Sequence, residues 1–208
     1  MVNYYLAIAM AITSLSAHAE NDMEFTLQFN KAFEHTMGHE GKFQRNEKDR
    51  GNWTSGKIGV GELKGTKWGI SAAKYPMVNI MALKRHDAKK IYYRDYWQPY
   101  NYGQLQVINL SNKVFSNTVV MGPSSSHKIL QRALRACGTY TPADGLIGPD
   151  TWFKANEYGV SDCYETLDAA FNSETAAHFR MVAIAKPVTK VFLAGWLNRA
   201  YEDDKGIK

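Results

Sequence analysis

The chain has 208 residues, 45% of them hydrophobic, which is enough for one full core or two small ones, and 25 Lys and Arg against 20 Asp and Glu leave a formal charge of +5. The basic residues are dispersed, with no run of five and no nucleic-acid motif, so nucleic acid is not the expected partner. An anionic bacterial envelope suits the same charge, and so does a solvated surface with no polyanionic partner.

The first nineteen residues carry no Asp, Glu, Lys or Arg, and an apolar stretch from Leu6 to Leu15 leads into Ser16-Ala17-His18-Ala19. An h-region before an Ala-x-Ala site reads as a signal peptide over residues 1–19, with a buried N-terminal helix as the alternative. The stretch is too short for a membrane span of about 20 residues. Export to the periplasm or the outside is the corresponding expectation. Phe25, Phe29, Phe33 and Met37 recur every four residues, which predicts one face of a helix opened by Asn21 or Asp22 and stopping near Gly38. From Lys42 to Thr66 glycines and polar residues dominate and Lys57 to Val60 alternates, so a loop with a short hairpin is expected.

After the break at Pro76, helices are predicted over 87–97, 105–121 and 126–137, with Gly122-Pro123-Ser124-Ser125-Ser126 as a linker. Asp144-Gly145 marks a turn, Asp150 a helix cap, and 164–185 and 188–201 two further helices. The expected fold is mainly α with a small β-hairpin element. Cys137 and Cys163 flank the 144–151 turn; an exported protein could pair them, or both could be buried thiols.

Glu40 follows the first helix, Asp49 lies nine positions on, and the hydroxyl of Thr66 comes after the glycine-rich loop. Glycoside hydrolysis commonly needs one carboxylic acid to protonate the leaving oxygen and a second polar group across the bond. Phe43, Trp53 and Trp68 are available as apolar walls that would raise the pKa of Glu40. The plain alternatives are a solvated Glu40, a loop charge at Asp49 beside Lys48 and Arg50, and a strand-end cap at Thr66. His35 and His39 share a helix face at zinc-ligand spacing, but the Glu of His-Glu-x-x-His is missing and no third ligand is identifiable, so neither metal nor cofactor is expected. Tyr92, Tyr93, Tyr96, Trp97, Tyr100 and Tyr102 form an aromatic cluster that could stack on sugar rings or fill a core.

The elements Glu40-Gly41-Lys42-Phe43, the loop Asn46 through Gly51, and Thr66-Lys67-Trp68-Gly69-Ile70 together resemble glycoside hydrolase family 108, a family of N-acetylmuramidases. Further matches are 91–97, Leu130-Gln131-Arg132-Ala133-Leu134, Asp144 through Thr151, and Gly195-Trp196-Leu197-Asn198-Arg199, so the likeness covers most of residues 24–200. It implies a lysozyme-like α+β catalytic region over 20–122 and a helical peptidoglycan-binding region over 123–208. It further implies cleavage of the β-1,4 bond between N-acetylmuramic acid and N-acetylglucosamine, with Glu40 as general acid, Asp49 assisting and Thr66 positioning. Asn46, Trp68, Tyr93 and Trp97 are then the candidate substrate contacts, and the partner is bacterial peptidoglycan met by a monomer. Two departures stand out. An insert from Trp53 to Glu62 brings in Glu62 as a rival second acid, and Ser116 and Val120 replace the family's usual Asp and Asn. A non-catalytic wall-binding protein and a zinc amidase or peptidase are the competing readings.

Overall fold

The computed structural model describes residues 25–38 and 42–202. Helix α1 (Leu27–Met37) is opened by Thr26, whose hydroxyl accepts from the Phe29 amide; Asn21 and Asp22, the expected caps, lie outside the described residues. The four-residue spacing does what it predicts: Phe29 and Phe33 are fully buried, and the Phe29 ring packs edge-on against Trp97 and Phe115.

The sheet is two short antiparallel strands, β1 (Thr66–Lys67) and β2 (Ile70–Ser71), with Thr66 opposite Ser71 and Lys67 opposite Ile70. The hairpin therefore lies in the Thr-Lys-Trp-Gly-Ile motif and not at Lys57 to Val60. There, Gly56, Gly59 and Gly61 all take positive φ and bend the chain into turns, leaving Ile58 and Val60 exposed.

Helix α2 (Arg85–Tyr92) runs into a π-helical turn at Tyr93–Trp97 and 3-10 turns at Gln98–Tyr100 and Tyr102–Gln104, so only the first part of the expected 87–97 helix is α. Pro99, unable to donate to a continuing ladder, ends it.

Helix α3 (Ile108–Met121) is central: every residue from Leu110 to Thr118 is buried. It packs on α1 and on α4 (Pro123–Leu134). The Gly122–Ser126 stretch is not a linker. Gly122 turns the chain at φ +86°, Pro123 sits in the first turn of α4, and Ser126 donates to the Val114 carbonyl at 2.8 Å. Helix α5 (Pro149–Gly159) has Gly148 as its cap and carries Asp150 in its first turn, paired with Lys154 at 2.9 Å. Helix α6 (Tyr164–Ala185) matches its expected span, and a 3-10 turn at Pro187–Phe192 precedes α7 (Leu193–Ala200). A disulfide joins Cys137, just after α4, to Cys163, just before α6. Of the two readings of the cysteines, the structure has the paired one. The architecture is mainly α with one small hairpin, as expected, and no described helix is long and apolar enough to cross a membrane.

One apolar core runs from Phe25 through Phe115 to Phe171 and so includes residues from both sides of Gly122. Polar bonds cross the same boundary. The Lys113 ammonium reaches Asp168 at 2.6 Å and Asn172 at 3.2 Å, and Asn117 donates to Thr175 at 2.9 Å.

Candidate functional site

The loop after α1 closes on itself through side-chain amides. Asn52, fully buried, donates to the Gln44 side-chain carbonyl at 2.8 Å and to the Asn46 backbone carbonyl at 2.9 Å. Its own Oδ1 accepts from Gln44 Nε2 at 3.0 Å and from the Thr66 hydroxyl at 2.8 Å. Gln44 Nε2 also donates to Asp49 Oδ2 at 3.1 Å, while Asp49 Oδ1 accepts from the Gly51 amide at 2.8 Å. Asp49 and Thr66, far apart in sequence, are thus held in one bonded network whose centre is an amide pair.

The backbone supports it. Gln44 and Thr66 exchange two amide hydrogen bonds at 2.9 Å, and the Lys64 and Gly65 amides both donate to the Asn52 carbonyl at 3.0 Å. Only glycine fits at 65: φ is +90°, and a Cβ there would lie 2.5 Å from the Gln44 carbonyl oxygen.

Bond directions set the chemistry. The one hydroxyl hydrogen of Thr66 is committed to Asn52, which only accepts at Oδ1, so Thr66 meets anything else as an acceptor. Both Asp49 oxygens are oriented by donors, yet Asp49 is only half-buried and keeps lone pairs toward solvent. Asn46 spends its Oδ1 on the Lys48 amide at 2.9 Å and is exposed, which leaves its NH2 group open to solvent.

Glu40 and His39 lie outside the described residues. His35 is half-buried and lines a small polar pocket with Lys113, Asn117 and Arg199, and among the described residues no group of three or more side chains could hold a metal ion. Glu62 makes no side-chain hydrogen bond to Gln44, Asp49, Asn52 or Thr66 among the described residues: its side chain is 74% exposed and pairs with Lys64 at 3.2 Å, while its backbone bonds to Thr54 within the insert.

Trp68 sits in the hairpin turn at φ +52°, half-buried, its carbonyl accepting from the Tyr92 hydroxyl at 3.1 Å. Tyr93 and Trp97 are not beside Thr66. They line a pocket of about 220 Å³ with Thr26, Gln28 and Asn101, at the N-terminal end of α1 and thus at the opposite end from Gly38. Trp97 is buried among Phe29, Tyr102 and Phe115. Ser116 accepts from Arg199 Nη2 at 2.7 Å and Val120 packs against the cluster of Ala176, Phe179 and Ala200, so both substituted positions face the C-terminal helices.

An open cleft of about 360 Å³ is lined by Arg45 and Lys64, the chain neighbours of Gln44 and Gly65, together with Met77, Asn79 and Met81. Gln44 and Asn52 escape the sequence reading because each lies in an irregular loop without periodicity. The one hint was the density of Asn and Gly around Asp49.

The arrangement holds a carboxylate and a hydroxyl together, as glycoside hydrolysis needs of the groups across the scissile bond from its general acid. Residues 33–122 match the family Glycosyl hydrolase 108, and residues 125–201 match the Predicted Peptidoglycan domain. It is a peptidoglycan hydrolase. The fold is similar to the solved structure of Brucella abortus SagA, with a TM-score of 0.60 and 21% identity over 83% of this chain and 88% of that one. No curated protein matches.

Proposed function

We propose that the chain is an N-acetylmuramidase that hydrolyses the β-1,4 bond between N-acetylmuramic acid and N-acetylglucosamine, with Glu40 as general acid. The observation that carries this reading is the shared network of Asp49 and Thr66, the two groups that follow Glu40 in the order such a reaction uses. Glu40 gives its proton to the glycosidic oxygen as the C–O bond breaks. Asp49 supplies negative charge opposite the developing oxocarbenium ion. Thr66, with its hydrogen already committed, accepts a hydrogen bond from the attacking water and so directs that water's free lone pair at the anomeric carbon, and the Asp49 carboxylate takes the proton the water gives up as the new C–O bond forms. Asn46 and Trp68 flank this centre as sugar contacts, with the Arg45 and Lys64 side of the cleft facing the acidic stem peptides of the polymer.

The Cys137–Cys163 disulfide supports work in an oxidising compartment, the periplasm or the outside, because such bonds persist there and are rare in the cytosol. Incubation with purified peptidoglycan followed by end-group analysis tests the assignment. The expected product is new reducing ends on N-acetylmuramic acid; new amines without reducing ends would instead mark an amidase or peptidase, and reducing ends on N-acetylglucosamine a glucosaminidase.

A further inference from the structure

We propose that the pocket between the Asp144-Gly145-Leu146 turn and the start of α5 binds an N-acetylated amino sugar of the peptidoglycan glycan strand. This rests on peptidoglycan as the polymer acted on and not on the role of Glu40. The pocket, of about 260 Å³, is lined by Gln131, Thr141, Asp144, Leu146, Pro149 and Asp150, all in the C-terminal half and none in the Asp49 network.

Thr141 is fully buried, it lines this pocket, and its hydroxyl has no hydrogen-bond partner among the described residues. Buried hydroxyls are nearly always bonded, because leaving water without a substitute partner is unfavourable, so an orphan at a pocket wall points to a ligand that completes it. Asp144 adds an acceptor. Its Oδ1 takes the Leu146 amide at 2.9 Å and Gln131 Nε2 at 2.7 Å, while Oδ2 accepts from no described group. Those two donors, the Leu146 amide first, hold the carboxyl below the usual range, so it is charged at neutral pH. Asp150 is already compensated by Lys154.

The turn is fixed in advance. Gln131 also donates to the Leu146 carbonyl and accepts from the Gly145 amide, both at 2.9 Å, and His127 Nδ1 holds the Gly145 carbonyl at 2.9 Å. A site held in place before its ligand arrives loses little freedom on binding.

A free carboxylate oxygen and an uncommitted hydroxyl suit a neutral ligand rich in O–H and N–H donors. Leu146, 75% exposed, and Pro149 offer apolar contact for an acetyl methyl or the C–H face of a ring. The acidic stem peptide is the poorer fit, since its carboxylates would face the Asp144 carboxylate.

The test uses the full-length protein, tetra-N-acetylchitotetraose and, separately, a sugar-free stem peptide, with binding followed by calorimetry and amide chemical shifts. The tetrasaccharide is expected to perturb residues 141–151. Thr141→Val, which removes only the unpartnered hydroxyl, is expected to weaken that binding at least fivefold without lowering the melting temperature. Leu146→Asp, on an exposed side chain, should abolish it. Both variants should release reducing ends from short soluble glycans at the wild-type rate but be retained less on insoluble peptidoglycan. Equal affinity in wild type and both variants, or binding at 141–151 by the stem peptide and not by the sugar, overturns the proposal. A protein that generates no reducing ends but still binds sugar at 141–151 defeats the muramidase reading and leaves this site standing.

Discussion

The Thr66 hydroxyl donates to the side-chain carbonyl of Asn52 at 2.8 Å, and Asn52 is buried beneath the very groups it orients. Asn52→Ala would leave Gln44 and Thr66 without their partner and empty a buried position, so stability should fall by about 2–4 kcal/mol. Turnover should fall at least tenfold even where the protein remains folded, because Thr66 would regain its rotational freedom. Thr66→Ser keeps the hydroxyl and should stay near wild type, whereas Thr66→Val should lose kcat with little change in KM. Steady-state kinetics on solubilised peptidoglycan with parallel melting curves measures all three. A fully active Thr66→Val would remove Thr66 from the reaction.

The acids separate by role. Glu40→Gln keeps size and removes the transferable proton, so kcat should drop by a factor on the order of 100 or more with binding nearly intact. Asp49→Asn should be impaired less in chemistry but also lose some stability, because an Asn NH2 in place of Oδ2 would face the Gln44 NH2 that now donates to it. Glu62→Gln should match wild type, its carboxylate being exposed and paired with Lys64 at the surface. An inactive Glu62→Gln beside an active Asp49→Asn would transfer the second role to the insert.

The sequence made the helices and the order of the chemistry legible, because aromatic spacing at Phe25, Phe29 and Phe33 and the Thr66–Ile70 motif are local signals. It did not make the hub legible. Asn52 and Gln44 act through contacts between loop residues eight positions apart, which no periodicity announces. Trp97 shows the converse. Aromatic residues at helical spacing fit a sugar platform and a core equally well in sequence, and only packing against Phe29 and Phe115 puts this ring in the interior. Gly122-Pro123 reads as a break in any one-dimensional view, yet Pro is suited to the first turn of a helix and the chain resumes at once.

The disulfide closes a loop with a sequence separation of 26 residues, which chain-entropy reasoning values at about 3.5 kcal/mol. Reduction, or the double Cys137→Ser and Cys163→Ser variant, should lower the melting temperature by several degrees and loosen the turn at Asp144 that lies inside the loop. Thermal melts with and without reductant check this. An unchanged melting temperature would mean that the loop is held by α4 and α6 alone.

His127 should make stability fall in mild acid. Burial lowers its pKa, and the Gly145 carbonyl, which can only accept, requires the hydrogen to be on Nδ1 and leaves Nε2 to accept from the Tyr102 hydroxyl at 2.7 Å. The unfolded chain takes up a proton near pH 6.5 and the folded chain resists it, so the stabilisation is complete above that pH and is lost as pH falls toward the lower, folded value. His178, also lowered by burial, adds in the same direction. Chemical denaturation between pH 7.5 and 5 should show this decline, and His127→Gln should be less stable at pH 7.5 but decline less steeply. Equal slopes would assign the effect to other groups.

The Tyr102–His127 bond also joins the two halves of the chain, and it is not alone: Lys113 reaches Asp168, Asn117 reaches Thr175 and Arg199 reaches Ser116 across the Gly122 boundary. Helix α3 is buried from Leu110 to Thr118, so a chain cut after Gly122 would expose the face that now meets α4 and the polar groups that bond to α6. It would also leave the Lys113 ammonium without its carboxylate. Loss of that apolar cover and of several paired polar groups exceeds the stability of an ordinary domain. The fragment 20–122 is therefore expected to lack near-ultraviolet circular dichroism and cooperative melting, and the full-length protein to unfold in one transition by both fluorescence and far-ultraviolet signal. Two separated transitions, or a fragment that melts cooperatively, would establish that catalytic and wall-binding regions fold independently and that these bonds belong to an interface between them.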